Sequence, residues 1–255
     1  MNKPILDLLY ARRQSNRKSF AVLIDPDKVE DPVSLVKLIN IAVENKVDFF
    51  LVGGSLLTSS NMHQIIQLIK TRCQIPVILF PGSSMHVDVS ADGILFLSLI
   101  SGRNPDLLIG QQVIAAPIIK RSNLEVLPTG YILINADNQT TVSYMSNTVP
   151  IPADKYSVAV CTAMAGEMLG LKLIYMDAGS GAQFPISTKM IASVRKAIDV
   201  PLIVGGGIDS VKKALDSLKA GADMLVVGNG IEKNPNLLIE VSDAIISLNQ
   251  TLDIH

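Results

Sequence analysis

The sequence has few cysteines, few aromatic residues and almost no net charge. Cys73 and Cys161 are the only cysteines among 255 residues, and they form no CxxC motif. This excludes a disulfide framework and fits a reducing compartment. The formal net charge of −1 gives no basis for a nucleic-acid partner. The three histidines, His63, His86 and His255, lack the spacing of a metal site, so zinc chemistry is not expected.

The chain also has no long apolar run. Hydrophobic residues make up 48% of it, yet no stretch approaches the roughly 20 consecutive apolar residues that cross a bilayer. Residues 1–18 carry two charged clusters without a long apolar segment between them, which does not fit a secretion signal. We therefore expect a cytoplasmic protein without a transmembrane segment.

The apolar residues are mainly aliphatic, because aromatic residues make up only 4% of the chain. Aliphatic runs are typical of a parallel sheet that is buried on both faces. A length of 255 residues is close to the roughly 250 of one (β/α)8 barrel. We predict an α/β fold, with residues 1–255 in a single (β/α)8 TIM-barrel domain. The eight predicted strands are residues 20–24, 49–52, 76–80, 93–97, 131–134, 173–176, 202–204 and 224–227.

Helical spacing of apolar residues predicts the helices between these strands. Residues 2–16 are predicted to plug the bottom of the barrel, and a further helix begins after Asp31 as N-cap, with Pro32 in its first position. The segment 84–91 is too short for a full crossover helix, so the third βα unit is expected to have an abbreviated helix or to be irregular. Residues 138–146 have a β-prone centre and predict a small inserted hairpin. Other helices are predicted near residues 61–71, 105–114, 155–170, 187–197, 210–219 and 235–248.

Glycines follow the seventh and eighth predicted strands. Gly205, Gly206 and Gly207 close the first of these strands, and Gly228 and Asn229 follow the second. Glycine lets the backbone approach an anion closely, and the loops after strands seven and eight form phosphate sites in many barrels. The two loops therefore predict a cradle for a phosphorylated ligand.

Two carboxylates, Asp25 and Asp177, and the hydroxyl of Ser55 follow predicted strands at the same end of the barrel. Asp25 follows the first strand and Ser55 the second. Their oxygen atoms suit magnesium, which takes few protein ligands together with substrate phosphate oxygens. Asp177 closes the sixth strand, across from the cradle, where a carboxylate can accept the proton of a hydroxyl group. Alternatively, Asp25 and Asp177 are ordinary turn formers or caps.

Three further features at this end of the barrel each allow a ligand-binding role, and the last two also allow a structural or solvent-exposed role. Residues 178–181 add backbone amides and a hydroxyl group that can hold an anion. Tyr175 either packs in the barrel interior or hydrogen-bonds a polyol. Arg103 and Lys28 are either solvated loop charges, or one of them reaches a diphosphate group.

The motifs together resemble the geranylgeranylglyceryl phosphate synthases. They run in order from the first strand to the eighth: IDPDK (24–28), VGGS (52–55), FPGS (80–83), SGRNP (101–105), YMDAGSGA (175–182), GGGI (205–208) and GN (228–229). The resemblance implies a magnesium-dependent phosphoglycerol geranylgeranyltransferase. Such an enzyme joins a polyprenyl diphosphate to the C3 hydroxyl of sn-glycerol 1-phosphate, which yields an ether-lipid precursor and diphosphate.

The resemblance also implies residue roles. It assigns magnesium to Asp25 and Ser55. We expect Asp177 to be the catalytic residue that removes the hydroxyl proton. The implied glycerol phosphate site comprises Tyr175, Met176, Asp177, Ala178, Gly179, Ser180, Gly181, Gly205, Gly206, Gly207, Gly228 and Asn229.

Two positions separate this chain from parts of that family. Leu23 stands where a related bacterial branch has lysine, which favours the larger-chain branch of archaea and some bacteria. Leu107 stands where that branch often has an aromatic residue at the prenyl site, so the prenyl length stays open. The resemblance suggests a homo-oligomer, either dimer or hexamer. Transient membrane contact is expected because the product is a lipid.

Other functions suit the same glycine loops. The cradle could hold the phosphate of flavin mononucleotide in a barrel oxidoreductase, and the purified protein would then be yellow. A phosphosugar aldolase or isomerase is a further alternative, although Lys172 begins a predicted strand instead of ending one, as a Schiff-base lysine would. The last alternative is a barrel that binds a phosphorylated ligand without catalysing a reaction.

Overall fold

The computed structural model describes residues 4–135 and 140–252, and its strands form one closed parallel barrel. Each strand pairs with the next in sequence, and the last pairs with the first. The strands are β1 (Ser19–Ile24), β2 (Phe49–Gly54), β3 (Val77–Pro81), β4 (Gly93–Leu99), β5 (Glu125–Leu133), β6 (Leu173–Asp177), β7 (Leu202–Gly205) and β8 (Met224–Val227). The predicted (β/α)8 fold is confirmed.

Helices surround the barrel. They are α1 (Ile5–Gln14), α2 (Pro32–Glu44), α3 (Met62–Arg72), α4 (Gln111–Arg121), α5 (Thr141–Ser146), α6 (Tyr156–Met168), α7 (Thr188–Arg195), α8 (Val211–Lys219), α9 (Asn229–Lys233) and α10 (Asn236–Leu252). A 3₁₀ turn (Pro26–Lys28) follows β1, and a π-helical turn (Asp106–Gly110) leads into α4. Among the described residues, none of the helices has both the length and the apolar character needed to cross a membrane.

The apolar core has two layers, because side chains alternate between the two faces of each strand. The outer layer lies between strands and helices and includes Met176 and Val204. The inner layer fills the barrel and includes Leu51, Tyr175 and Ile203. Helix α1 closes the bottom of the inner layer, as predicted.

Helix α1 inserts Ile5 and Leu9 into the inner layer. Its first turn is held by the carboxylate of Glu125, at the start of β5. The N–H groups of Ile5 and Leu6 donate to the two Glu125 oxygens at 2.5 and 2.7 Å. A carboxylate at a helix N-terminus satisfies free N–H groups and suits the helix dipole.

Helix α2 begins where the sequence predicts. The Asp31 carboxylate accepts hydrogen bonds from the N–H groups of Val33 and Ser34 at 2.7 and 2.9 Å, and Pro32 occupies the first helical position. The cap and the proline act locally, so their pattern is visible in the sequence.

The predicted hairpin near residues 138–146 is wrong over its described part. Residues 141–146 form α5 instead, because Thr140 and Ser143 build a capping box. The Thr140 hydroxyl accepts the Ser143 N–H at 3.4 Å, and the Ser143 hydroxyl accepts the Thr140 N–H at 3.0 Å. These reciprocal bonds start a helix in spite of β-prone side chains. Residues 136–139, which include the start of the predicted hairpin, lie outside the described residues.

The third crossover is irregular. Residues 82–92 form turns and contain no helix, so the helix that was expected to be abbreviated is replaced altogether. Asp88 organises this loop: its side chain accepts the Ser90 N–H at 2.9 Å and contacts the His63 ring at 2.8 Å. Strand β5 begins at Glu125, whereas the predicted strand begins at residue 131. The prediction missed the first part of the strand because Pro128 interrupts the apolar pattern, although it does not end the strand.

Candidate active site

The carboxyl ends of the eight strands form the mouth of the barrel, and the backbone that follows β7 is sterically constrained. Gly206 and Gly207 have φ values of +81° and +69°, which favour glycine. A side-chain carbon on Gly206 would lie 2.7 Å from Asp177 Oδ1 and 2.8 Å from the Gly179 nitrogen. Among the described residues, no protein acceptor takes the N–H groups of Gly206 and Gly207. These two amides are therefore available to an anion, as the cradle prediction requires.

Asp177 ends β6 and is buried beneath the cradle. Its Oδ1 accepts the Gly179 N–H at 2.7 Å, and its Oδ2 accepts the Tyr131 hydroxyl at 2.5 Å. Burial raises the pKa of this carboxyl, while the two hydrogen bonds act in the opposite direction. A carboxylate with a raised pKa is a stronger base, so Asp177 is chemically suited to accept a proton.

Three aromatic rings form the base of the mouth inside the barrel. Tyr175 stacks on Phe80 with ring centroids 5.4 Å apart, and Tyr131 meets Tyr175 edge-on at 5.4 Å. Burial raises the pKa of both tyrosine hydroxyls well above the usual value, so both stay protonated donors. Of the two readings of Tyr175, the structure favours packing in the interior, with its hydroxyl close to Gly205.

Tyr131 was missed by sequence reasoning. It lies in register with Tyr175, and Leu133 lies in register with Asp177. Because side chains two residues apart share a face, Tyr131 points into the barrel beside Asp177. The alternation of inward and outward side chains along β5 indicates that Tyr131 points inward. Only the pairing of β5 with β6 shows that it lies beside Asp177.

The predicted glycerol phosphate residues do not all face the mouth. The side chains of Met176 and Ala178 pack in the outer apolar layer, so these two residues can meet a ligand only through their backbone. Ser180 and Asn229 do meet: the Asn229 amide donates to the Ser180 hydroxyl at 3.2 Å. Gly179 is covered by Thr140, the N-cap of α5.

Asp25 and Ser55 follow neighbouring strands, β1 and β2, at the mouth. The Asp25 side chain is 21% exposed, and Oδ1 accepts the Asp27 N–H at 3.1 Å. A side-chain carbon on Gly54 would lie 3.6 Å from Asp25 Oδ1, so bare backbone separates this carboxylate from Ser55. Among the described residues, no cluster of three or more His, Cys, Asp or Glu side chains could hold a metal.

Asp27 lies in the turn that follows β1 and binds the loop that follows β2. Its carboxylate accepts the N–H groups of Thr58 and Ser59 at 2.7 and 2.8 Å and the Thr58 hydroxyl at 2.9 Å. Hydrogen bonds from Ser59 and Thr58 hold the pKa of the Asp27 carboxyl well below its usual range. Asp27 therefore organises backbone, in contrast to Asp25.

The two cations named from the sequence have different places. Lys28 donates to the Asn229 side chain at 2.6 Å, so it lies at the mouth. Arg103 Nη1 donates to the carbonyl of Gly102 at 2.7 Å and lines a separate hollow with Asn147.

An apolar cavity of ≈ 690 Å³ runs from the mouth towards α4. At one end it is lined by Gly54, Ser55 and Gly82, beside Asp25. Aliphatic side chains of β4 and α4 line one part of the remainder, the loop at residues 82–88 lines another, and Leu107 is among the lining residues. This size lies within the usual range for a small-molecule site. The lining includes Phe80, Leu97, Leu99, Ala115, Ile119 and Tyr131.

Known proteins match this chain along almost its whole length. The PcrB family model matches residues 13–246. A protein of Spirosoma linguale named geranylgeranylglyceryl phosphate synthase is 56% identical over 247 residues, which are 97% of this chain and 99% of that protein. A protein of the same name from Chitinophaga pinensis is 52% identical over 245 residues, 96% and 97% of the two chains.

A solved structure agrees with these relatives. It is (S)-3-O-geranylgeranylglyceryl phosphate synthase from Thermoplasma acidophilum in complex with substrate sn-glycerol-1-phosphate. It superposes with a TM-score of 0.89 at 31% identity, over 95% of this chain and 98% of that one.

Proposed function

This chain belongs to the PcrB family, and from that premise we propose that it transfers a polyprenyl group from its diphosphate to the C3 hydroxyl of sn-glycerol 1-phosphate. One arrangement carries the proposal: Gly206 lies directly against the buried carboxylate of Asp177, and among the described residues the amides of Gly206 and Gly207 have no protein acceptor. The amides suit a phosphate group, and the carboxylate suits a hydroxyl group of the same small molecule. The solved relative with bound sn-glycerol 1-phosphate supports this substrate.

The cradle would hold glycerol phosphate by its phosphate group. Backbone amides are preorganised, so they bind an anion without ordering long side chains. Ser180 and Asn229 add polar side chains at the edge of this site. Binding by the phosphate orients the glycerol hydroxyls towards Asp177, which makes the encounter with the second substrate effectively intramolecular.

Asp177 would accept the C3 hydroxyl proton as the new C–O bond forms. Its raised pKa makes it the better base, and the Tyr131 hydroxyl fixes the direction of its Oδ2 lone pairs. The bond to the diphosphate oxygen breaks as the C–O bond forms, and diphosphate departs. The proton remains on Asp177 until it is released to solvent.

The apolar cavity suits the polyprenyl chain. It begins beside Asp25 and continues along aliphatic side chains towards α4, so the diphosphate would lie at the mouth and the hydrocarbon inside. Burial of each CH₂ group contributes about 0.8 kcal/mol, which favours a long chain. Leu107 lines this cavity where an aromatic residue was expected, and geranylgeranyl diphosphate is the proposed donor.

Asp25 and Ser55 would hold a magnesium ion. Bare backbone lies between the Asp25 carboxylate and Ser55, and both side chains offer hard oxygen ligands. When bound, the ion supplies positive charge that stabilises the departing diphosphate. Few protein ligands are needed, because magnesium retains water and binds phosphate oxygens.

The test is a transfer assay with labelled sn-glycerol 1-phosphate, magnesium and prenyl diphosphates of increasing length. We expect label to become extractable into organic solvent, with the greatest yield for geranylgeranyl diphosphate. The enantiomer sn-glycerol 3-phosphate is the matched control and should give little product. If no prenyl diphosphate yields product and the purified protein is yellow, the flavin alternative replaces this proposal.

Three expectations from the sequence stay predictions. They are a cytoplasmic location, a homo-oligomer and transient membrane contact during release of the lipid product. Light scattering during size-exclusion chromatography separates monomer, dimer and hexamer. Sedimentation with vesicles in the presence of product tests membrane contact.

A further inference from the structure

Lys28, at the mouth, connects the turn after β1 with helix α9. Lys28 closes the turn after β1, and its Nζ donates to Asn229 Oδ1 at 2.6 Å and to Glu232 Oε2 at 3.0 Å, both in α9. The same nitrogen lies 3.6 Å from Asp25 Oδ2. Lys28 therefore lies between the proposed magnesium carboxylate and the residue that follows β8 in the phosphate cradle.

Lys28 also sets the orientation of the Asn229 amide. An ammonium group can only donate, so the atom it contacts at 2.6 Å must be the amide oxygen. The amide nitrogen then lies 3.2 Å from the Ser180 hydroxyl, to which it can donate, and the amide oxygen lies 3.3 Å from the same hydroxyl. A side-chain carbon on Gly181 would lie 3.6 Å from that nitrogen, which places it over the turn after β6. The lysine thus presents a donor to the cradle.

The ammonium group has bonding capacity left. It carries three N–H donors, and Asn229 and Glu232 take two of them. The 3.6 Å separation from Asp25 is an ion pair beyond ordinary hydrogen-bond length. One N–H is therefore available for an oxygen atom of a ligand, and the side chain is 38% exposed.

Both substrates of the proposed function bring phosphate groups to this region. Two neighbouring anions repel each other, and a cation between them offsets that repulsion. Arg103 does not fill this role, because it lines a separate hollow with Asn147 and Thr148. We propose that Lys28 is a shared cation, which binds phosphoryl oxygen between the two substrate sites and couples their occupancy. This inference rests on the proposed function for the identity of the two anions.

The test measures binding by calorimetry, without turnover. The probes are sn-glycerol 1-phosphate alone, inorganic diphosphate with magnesium alone, and the first probe in the presence of the second. We expect Lys28→Gln to weaken each single probe by about fivefold or more and to weaken glycerol phosphate further when diphosphate is present. Coupling between two sites typically changes affinity by about 5- to 150-fold.

Matched variants separate charge from folding. Lys212→Gln removes an exposed lysine of α8 that pairs with Asp216, and we expect no change with any probe. Lys28→Arg keeps the charge and should fall between the wild type and Lys28→Gln. The unfolding midpoint of each variant shows that the fold is retained.

Several results would overturn the inference. They are unchanged affinities in Lys28→Gln, a loss confined to one probe, a Lys28→Arg variant as weak as Lys28→Gln, or a wild type that binds neither probe. Failure of the proposed function shows separately, as absence of prenyl transfer by a wild type that still binds both probes. In that case the inference about Lys28 would be retained, and the proposed prenyl transfer would be rejected.

Discussion

The two ends of the barrel both carry aspartates, but the aspartates bond differently. At the floor, where the strands begin, Asp48, Asp92 and Asp223 each precede a strand. Each accepts an N–H from the first or second residue of the neighbouring strand, from Phe20, Val77 and Leu202, at 2.8, 2.9 and 2.8 Å. Each also pairs with a cation, Arg12, Lys70 and Arg195 respectively, at 2.6, 2.5 and 2.6 Å.

At the mouth, Asp177 ends β6 and Asp25 follows β1, and among the described residues each accepts an N–H from its own turn and none from a neighbouring strand. Asp25 does lie near a cation, Lys28, but at the longer distance of 3.6 Å. Asp177 is buried with two hydrogen bonds and no cation within ion-pair distance among the described residues. Asp25 keeps one-fifth of its side chain exposed. Groups at the floor satisfy one another and hold the strands in register, whereas groups at the mouth retain capacity for ligands. The same residue type thus suits stability at one end and, under the proposed function, chemistry at the other.

The sharpest test of this contrast removes the charge of Asp25. Asp25→Asn should abolish prenyl transfer in magnesium, because an amide is a poor ligand for that ion. The unfolding midpoint should stay close to that of the wild type. Assays of transfer and thermal unfolding on the same preparation check both, and turnover like the wild type would refute the metal assignment.

Asp177→Ala should lower kcat by about 10²–10⁴-fold, the usual contribution of a positioned general base. Affinity for sn-glycerol 1-phosphate should fall less, because the backbone amides of Gly206 and Gly207 remain. Steady-state kinetics at saturating donor separate the two parameters. A loss in affinity alone, with kcat retained, would make Asp177 a binding residue.

A floor aspartate should behave in the opposite way. Asp223→Asn leaves Arg195 without its carboxylate partner, and we expect unfolding to become easier by about 3 kcal/mol, with kcat retained. Urea denaturation measures the loss. Asp216→Asn is the control, since its exposed pair with Lys212 should contribute less than about 1 kcal/mol. A folded Asp223→Asn variant with a reduced kcat would contradict the proposed difference in role between floor and mouth aspartates.

The cradle can be tested with two glycines of similar backbone conformation. Gly206 and Gly170 have φ values of +81° and +92°, but no atom lies within 4 Å of a side-chain carbon added to Gly170. Gly206→Ala should weaken glycerol phosphate binding by about tenfold or more, the equivalent of one charge-assisted hydrogen bond. Gly170→Ala should share the backbone strain and keep the affinity. Calorimetry that shows equal losses would attribute the effect to strain.

The smallest expected effect concerns pH. Burial raises the pKa of Asp177, so the folded protein binds this proton more tightly than the unfolded chain. Its contribution to stability is therefore present at low pH and is lost as pH rises through the folded pKa. Asp177→Asn should unfold at a higher temperature than the wild type at pH 7, and the difference should shrink towards acid pH. A constant difference across pH would contradict this linkage.

Much of this protein follows from local patterns in its sequence. Alternating aliphatic strands and amphipathic helices predict the barrel, and Asp31 with Pro32 predicts the start of α2, because these effects act within a few residues. The glycines after β7 predict the cradle for the same reason. The hairpin prediction failed where a local capping box, Thr140 with Ser143, overrode strand propensity.

The closed barrel decided the rest. Lys28 and Asn229 are 201 positions apart, and Tyr131 and Asp177 are 46 apart, yet each pair is hydrogen-bonded. No local pattern specifies such contacts, since they depend on the pairing of β8 with β1 and of β5 with β6. The sequence by itself determined which groups stand at strand ends. Only the tertiary structure decided which of them meet, because closure brings distant strand ends within hydrogen-bonding distance.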